Sequence, residues 1–143
     1  MTVAAILGQK SHSIITAEAS ETLKGVCGLL ASHRIGAVVV TDGAGGIAGI
    51  LSERDIVKAM ARDGSIALDR PTADYMTRAV KTCGPSDTIA DVMAWMTEGR
   101  FRHLPVVEGG RLVGVVSIGD VVKQRIASAE QEAEMMRSYI QMV

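Results

Sequence analysis

Aromatic residues are nearly absent from this sequence: one Phe, one Trp and two Tyr make up 3 % of its 143 residues. A base-stacking surface of the kind that grips single-stranded nucleic acid is thereby excluded, and the core must be filled by Val, Ile, Leu, Ala and Met. Charge of one sign is missing too. Lys and Arg (15) balance Asp and Glu (16), the formal net charge is −1, and the basic residues are spread along the chain. No basic face exists to displace counterions from a phosphate backbone, so no nucleic-acid partner is expected. No apolar run is long enough to span a bilayer, and Met1 to Lys10 lacks both the basic lead-in and the apolar stretch of a secretion signal. Cysteine is scarce as well. Cys27 and Cys83 lie far apart, outside any C-x-x-C spacing and among apolar or small neighbours, which predicts buried thiols in a reducing cytoplasm. His12 and His33 have no metal-ligand spacing with any Cys or His and are expected at the surface.

What is present is one pattern written twice. Hydrophobic residues at 48 % and charged residues at 22 % are ordinary for a globular domain, and the length suits a single domain with a real core. The first copy reads Ile14-Ile15-Thr16, then Ser20-Glu21-Thr22-Leu23 and a helical stretch, Ala37-Val38-Val39-Val40, a Gly-rich turn, Ile47 to Ser52, and Asp55-Ile56-Val57-Lys58. The second reads Val80-Lys81-Thr82, then Ser86-Asp87-Thr88-Ile89 and a helical stretch, Leu104-Pro105-Val106-Val107, Gly109-Gly110, Leu112 to Ser117, and Asp120-Val121-Val122-Lys123. A repeat of this length is the first thing a fold must explain.

Each copy reads as strand, helix, strand, strand, helix. Ser20 and Ser86, each followed by an acid, are the expected N-caps. Leu23, Val26, Cys27 and Leu30 recur at helical spacing, as do Ile89, Val92, Met93 and Met96. The β-branched runs ending at Val40 and Val107 suit buried strands. The turns at 42–46 and 108–110 suit hairpins, where Gly takes positive φ. One copy, roughly 45–50 residues, is too small for a stable core. The expected fold is therefore α+β, two β-α-β-β-α half-domains packed about an approximate two-fold, with clefts where they pair. The expected boundaries are an N-terminal helix over 1–9, a first repeat over 10–62 and a linker over 63–77. A second repeat over 78–127 and a C-terminal helical extension over 128–143 follow. Residues 72–76 are expected to form a short helical turn within the linker.

Both copies end their third strand in Gly-x-x-Ser-x-x-Asp: Gly49, Ser52 and Asp55, then Gly114, Ser117 and Asp120. A Ser at a strand-to-helix junction and an Asp one turn on both face the positive end of the helix. There the carboxylate can accept hydrogen bonds from the paired hydroxyls of a ribose, while the hydroxyl and free N–H groups favour an anion. The same spacing is also close to a capping box, which serves only the helix. The two roles are compatible, and both stand.

In the order of these segments the chain resembles tandem cystathionine β-synthase (CBS) domains, the Bateman module, over about residues 10–127. The resemblance is carried by Ile14-Ile15-Thr16, the strands at 37–40 and 104–107, and both Gly-x-x-Ser-x-x-Asp ends. It implies regulatory binding of an adenosine-containing ligand (AMP first, then ATP, NAD or S-adenosylmethionine) in clefts between the repeats. By the same resemblance Asp55 and Asp120 hold the ribose, and Ser52 and Ser117 lie by ribose and phosphate. Ile14, Ile15 and Thr16, or Val80, Lys81 and Thr82, line the adenine slot. Arg102 and His103, and Arg54, meet phosphates. Ile35-Gly36 is matched to Arg102-His103, so the two sites are expected to differ. Read without the resemblance, Arg100, Arg102 and His103 are equally solvated surface groups or charges complementing a helix C-terminus.

No Gly-x-Ser-x-Gly elbow, His-Glu-x-x-His or phosphate loop is present, so no catalytic or metal-binding residue is assigned and no enzyme is expected. After Asp120 the chain runs without Gly or Pro to Val143. Ile126, Ala129, Ala133, Met136, Ile140 and Val143 form an amphipathic stripe that could cover the chain's own core or contact a second chain. A Met-rich stripe of this kind is expected to be core. Thr2 to Leu7 is read as a short apolar helix. The family's habit implies a flat homodimer formed through helices and a regulated protein partner. The competing reading is a structural homodimerisation module with no physiological ligand.

Overall fold

The computed structural model describes residues 1–9 and 14–142, so the expected positions of His12 and Val143 lie outside the described residues. In chain order the elements are α1 (Val3–Gln9), β1 (Thr16–Glu18), α2 (Leu23–His33), β2 (Ala37–Thr41), β3 (Ile47–Ser52) and α3 (Glu53–Asp63). Two 3₁₀ turns (Gly64–Asp69 and Thr72–Asp74) follow, then α4 (Ile89–Gly99), β4 (His103–Glu108), β5 (Arg111–Ser117) and α5 (Ile118–Met142). The protein is α+β; the first copy has the strand, helix, strand, strand, helix order read from the sequence, and the second has all of it but the first strand. The chain packs as two units. One comprises residues 14–82 with 107–113; the other comprises 1–9, 83–106 and 114–142.

In the first unit β1 pairs parallel to β2, and β2 pairs antiparallel to β3. Ala37 to Val40 are all buried, as suits a central strand covered on both faces. Leu23, Val26 and Leu30 of α2 bury one helical stripe in a cluster with Val38, Val40 and Leu51, and fully burying each large aliphatic side chain favours folding by about 1.5–3 kcal/mol. Residues 63–77 are more than a tether. Ala67 and Thr72 are fully buried and Met76 nearly so, and Thr72 donates through both its N–H and its Oγ1 to the Glu21 carbonyl, each at 2.8 Å.

In the second unit, Ile89, Val92 and Met96 of α4, Leu104 and Val106 of β4, Val116 of β5 and Val121 of α5 are buried with Val3 and Ile6 of α1. Backbone bonds from Val3 N to Asp87 O and Ala4 N to Pro85 O, both 2.9 Å, tie α1 to the turn before α4.

Three expectations need correction. Val80 to Thr82 do not form a strand: among the described residues the second repeat keeps one parallel bridge, Cys83 with Val106, through Cys83 N to Pro105 O at 3.0 Å. Extending that ladder toward Lys81 would need an N–H from residue 105, and proline has none. The helix caps are Thr22 and Thr88, not Ser20 and Ser86. Each threonine has extended backbone angles, and its hydroxyl accepts from Gly25 N or Asp91 N at 3.1 Å. The helices start later than expected because the N–H groups of Leu23 and Ile89, which Ser20 and Ser86 would cap, are donated to the carbonyls of Arg70 and Met1 at 2.9 and 3.1 Å. Finally, the C-terminal methionines are not core: Met135, Met136 and Met142 are exposed.

Candidate functional site

The first candidate site grows from the end of β3. Ser52 is extended (φ −113°, ψ 167°) and caps α3. Its backbone N–H and its Oγ both donate to Asp55 Oδ2, at 2.9 and 3.0 Å, while Asp55 N reaches back to Ser52 Oγ at 3.4 Å. This is a complete capping box, so the bland reading of the motif holds in full. One contact lies outside it: Thr77 Oγ1 donates to Asp55 Oδ1 at 3.0 Å. A carboxylate offers about four lone-pair positions, and these three bonds leave one on Oδ1. Asp55 is half-buried, Thr77 is exposed, and Arg54 is exposed on the first turn of α3.

Gly49 explains how Thr77 arrives. Thr77 exchanges both backbone bonds with Ile50, each 2.9 Å, and a Cβ on Gly49 would lie 2.7 Å from the Thr77 carbonyl oxygen. The glycine is there for close backbone approach. Nothing in the residue spacing pointed to Thr77, because its partner lies 22 residues away and is reached only through this approach.

Thr16 pairs with Val39, Val39 with Ile50, and Ile50 with Thr77, one row across the sheet. Ala37 pairs with Ser52, so β2 begins where β3 ends, and β1 runs parallel to β2. The sheet therefore brings Ile14, Ile15 and Thr16 to the same end as Ser52 and Asp55. Ile14 is exposed and Ile15 half-buried. Val80 is half-buried, Lys81 and Thr82 are exposed, and all three belong to this first unit with Asp55.

The second candidate site, in the other unit, repeats the design. Ser117 N donates to Asp120 Oδ2 at 2.9 Å, and Asp120 N donates to Ser117 Oγ at 3.2 Å. Ile118 N donates to the Arg102 carbonyl at 2.8 Å, just as Glu53 N donates to that of Gly36 at 3.0 Å. The structural match is thus Gly36 with Arg102 and Ala37 with His103, one residue off the alignment of Ile35-Gly36 with Arg102-His103. Arg34 and Arg100 also correspond, as the left-handed C-caps of α2 and α4. The helix-terminus reading therefore describes Arg100, whereas Arg102 is exposed and His103 half-buried at the head of β4. An open groove of about 500 Å³ is lined by residues of α2, the turn after it and the start of α3, including Cys27, Arg34, Gly36 and Glu53, and by none of the expected ligand residues.

With this geometry established, the family can be named. The CBS domain profile matches residues 4–62 and 73–126, and the chain belongs to the CBS domain family, as a tandem pair. The crystal structure of the CBS-domain protein ATU1752 from Agrobacterium tumefaciens is 44 % identical, with a TM-score of 0.85 over 87 % of this chain and 99 % of that one. The CBS domain pair of MJ0100, solved in complex with 5′-methylthioadenosine and S-adenosyl-L-methionine, is 26 % identical with a TM-score of 0.80, over 90 % of this chain and 98 % of that one. A 17.7 kDa protein of Acidianus ambivalens is 36 % identical over 113 residues, 78 % of this chain and 62 % of its own length. The chain spans less than two thirds of that curated relative. CBS domain pairs are in general regulatory modules. Among the described residues no helix is long and apolar enough to cross a membrane.

Proposed function

We propose that this chain is a regulatory module that senses an adenosine-containing ligand, AMP first, with ATP, NAD and S-adenosylmethionine as the alternatives. The observation that carries the reading is the duplicated start of α3 and α5, each presenting a half-buried carboxylate at the end of a sheet. The cap does not consume Asp55: one lone pair of Oδ1 remains, beside a Thr77 hydroxyl able to accept as well as donate. Ribose offers two adjacent hydroxyls of matching chemistry. Ile14 to Thr16, at the same sheet end, offer apolar surface to adenine, and Val80 to Thr82 extend it. Arg54 at the first site, and Arg102 and His103 at the second, supply charge for phosphate, which favours AMP over S-adenosylmethionine. The adenosine ligands of the MJ0100 pair support the class. We place the module in the cytoplasm as a homodimer acting on a protein partner, with the boundaries 10–62 and 78–127 for the two repeats.

The test is titration calorimetry on nucleotide-stripped protein with AMP, ADP, ATP, NAD and S-adenosylmethionine. Binding by at least one is expected, and Asp55→Asn or Asp120→Asn should weaken it by about tenfold or more, since hydrogen bonds to a charged group contribute about 1.5–3 kcal/mol. Silence with all five ligands refutes the reading. One observation favours the competing role of a dimerisation module without ligand. Both oxygens of Asp55 already have partners within the chain, and under that reading the two Asn variants lose stability alone.

A further inference from the structure

Among the described residues, little packs against the last helix. α5 runs 25 residues, and only Val121 and Gln124 of it are buried. Ser128 is half-buried and reaches Met1, its Oγ 3.8 Å from Sδ. Every residue from Ala129 to Met142 is exposed, and an isolated helix of this length is marginal in water.

Val122, Ile126, Ala129, Ala133, Met136 and Ile140 follow one another in alternating steps of four and three, the 3.5-residue repeat of a coiled-coil seam, with no polar residue among them. The seam lies about a third of a turn around the helix from Val121, Gln124 and Ser128, so the packing of α5 on its own unit does not cover it. Val122, Ile126, Met136 and Ile140 are 42 %, 54 %, 61 % and 67 % exposed. Met135, Tyr139 and Met142 prolong the other face, but Gln131 and Ser138 interrupt that stripe.

The flanks of the seam identify the occupant. With Ile126, Ala133 and Ile140 at a, and Val122, Ala129 and Met136 at d, the g positions are Arg125 and Glu132 and the facing e positions are Glu130 and Arg137. In a parallel, in-register pair, g meets the e of the next heptad. Arg125 then meets Glu130 of the second copy and Glu132 meets Arg137, both of opposite sign and each occurring twice by symmetry. The antiparallel alignment that overlaps the whole seam instead sets Glu130 against its own copy and Lys123 against Arg137. The existing Arg137–Glu134 pair, 3.1 Å with both groups about 70 % exposed, is of the weak surface kind and yields easily. We infer that α5 forms a parallel, in-register two-stranded coiled coil with α5 of a second copy of this chain, an interface independent of any nucleotide.

The test is disulfide trapping in the full chain with Cys27→Ala as background. Ala129→Cys sits at d in the middle of the seam, and Gln131→Cys faces outward at f. Under mild oxidation Ala129→Cys should give covalent dimer about tenfold faster, because only seam positions bring Cβ atoms within disulfide range. Glu130→Arg should slow that reaction by placing Arg against Arg125, and adding Arg125→Glu should restore it. Equal rates at 129 and 131, or a rate indifferent to Glu130→Arg, overturn the inference, as they would if a different protein or an antiparallel copy covers the seam.

Discussion

The matched glycines of the two repeats differ in what surrounds them, and the difference can be measured. A methyl at residue 49 would stand 2.7 Å from the Thr77 carbonyl oxygen and 2.9 Å from Met76 Sδ. The first of these atoms is backbone, fixed by the reciprocal bonds between Thr77 and Ile50. Overpacking costs about 1–3 kcal/mol, and each backbone bond placed at risk is worth about 0.5–1.5 kcal/mol. Against this, alanine restricts the unfolded chain and returns about 0.5–1 kcal/mol. Gly49→Ala should therefore destabilise by about 2–3 kcal/mol, and Thr77 should lose its hold on Asp55. At Gly114 the same methyl would lie 2.6 Å from Leu7 Cδ2, the far end of a flexible side chain. Turning Leu7 off its rotamer costs about 0.5–1.5 kcal/mol, which the alanine gain nearly offsets, so Gly114→Ala should change stability by less than about 1 kcal/mol.

Urea unfolding of both variants decides the matter, followed by far-UV circular dichroism and by fluorescence of Trp95. Trp95 lies in α4, in the unit that contains Gly114, so the two probes also reveal whether one transition covers both units. In melting experiments the expected gap is about 5 °C or more, at roughly 3 °C per kcal/mol for a chain of this size. A Gly114→Ala loss equal to that of Gly49→Ala, or a neutral Gly49→Ala, refutes the argument from close approach.

Other expectations follow from single contacts. Thr72→Val should cost about 1–2 kcal/mol by urea unfolding, and no more, because the Glu21 carbonyl keeps the Thr72 N–H at 2.8 Å after the hydroxyl is lost. Arg34 holds φ 54° and ψ 45° at the end of α2, a region costing a side chain about 1–2 kcal/mol. Arg34→Gly should therefore raise stability by about 0.5–1 kcal/mol after the entropy of glycine is set against it, and a lowered urea midpoint would contradict this. Burial, with Asp87 adding to it, pushes the Cys83 thiol up to about 11. The folded state keeps that proton longer than the unfolded chain, so its contribution is whole below the ordinary thiol range and declines as pH rises toward that value. At pH 8 an alkylating reagent should label the half-buried Cys27 first, and equal labelling of the two thiols in native protein would contradict the burial of Cys83.

The duplication was legible because its signals are local. A helix period, a β-branched run and Gly-x-x-Ser-x-x-Asp each occupy a few consecutive residues, and the structure folds each of them where it stands. Non-local effects were harder to read. Thr22 takes the cap from Ser20 because the Leu23 N–H that Ser20 would cap is donated to the distant Arg70 carbonyl, and tertiary contacts are not written in the local capping pattern. Pro105 was visible, yet its effect falls on the neighbouring segment at Lys81, which has no strand to join. The C-terminal stripe was legible as amphipathic, but the sequence could not say which side of it meets the body. The helix buries Val121 and Gln124 and leaves Ile126 and Ile140 in solvent.

Thr77 matters most for the first site, because it reaches Asp55 from outside the motif. The glycine of each motif admits a segment from outside its own repeat: Met76 and Thr77 approach Gly49, and Leu7 of α1 approaches Gly114. The segment leading into the second repeat thus packs on the first unit, and the segment leading into the first repeat packs on the second. A threonine arriving beside Asp55 brings a hydroxyl that occupies Oδ1. A ribose approaching Asp55 must share that oxygen with Thr77 or displace it, and removing the hydroxyl frees an acceptor at the cost of one ordering contact. The two carboxylates are alike in sequence and in the backbone bonds of their caps, while the segments that cross the two glycines differ in the side chains they bring, Met76 at one and Leu7 at the other.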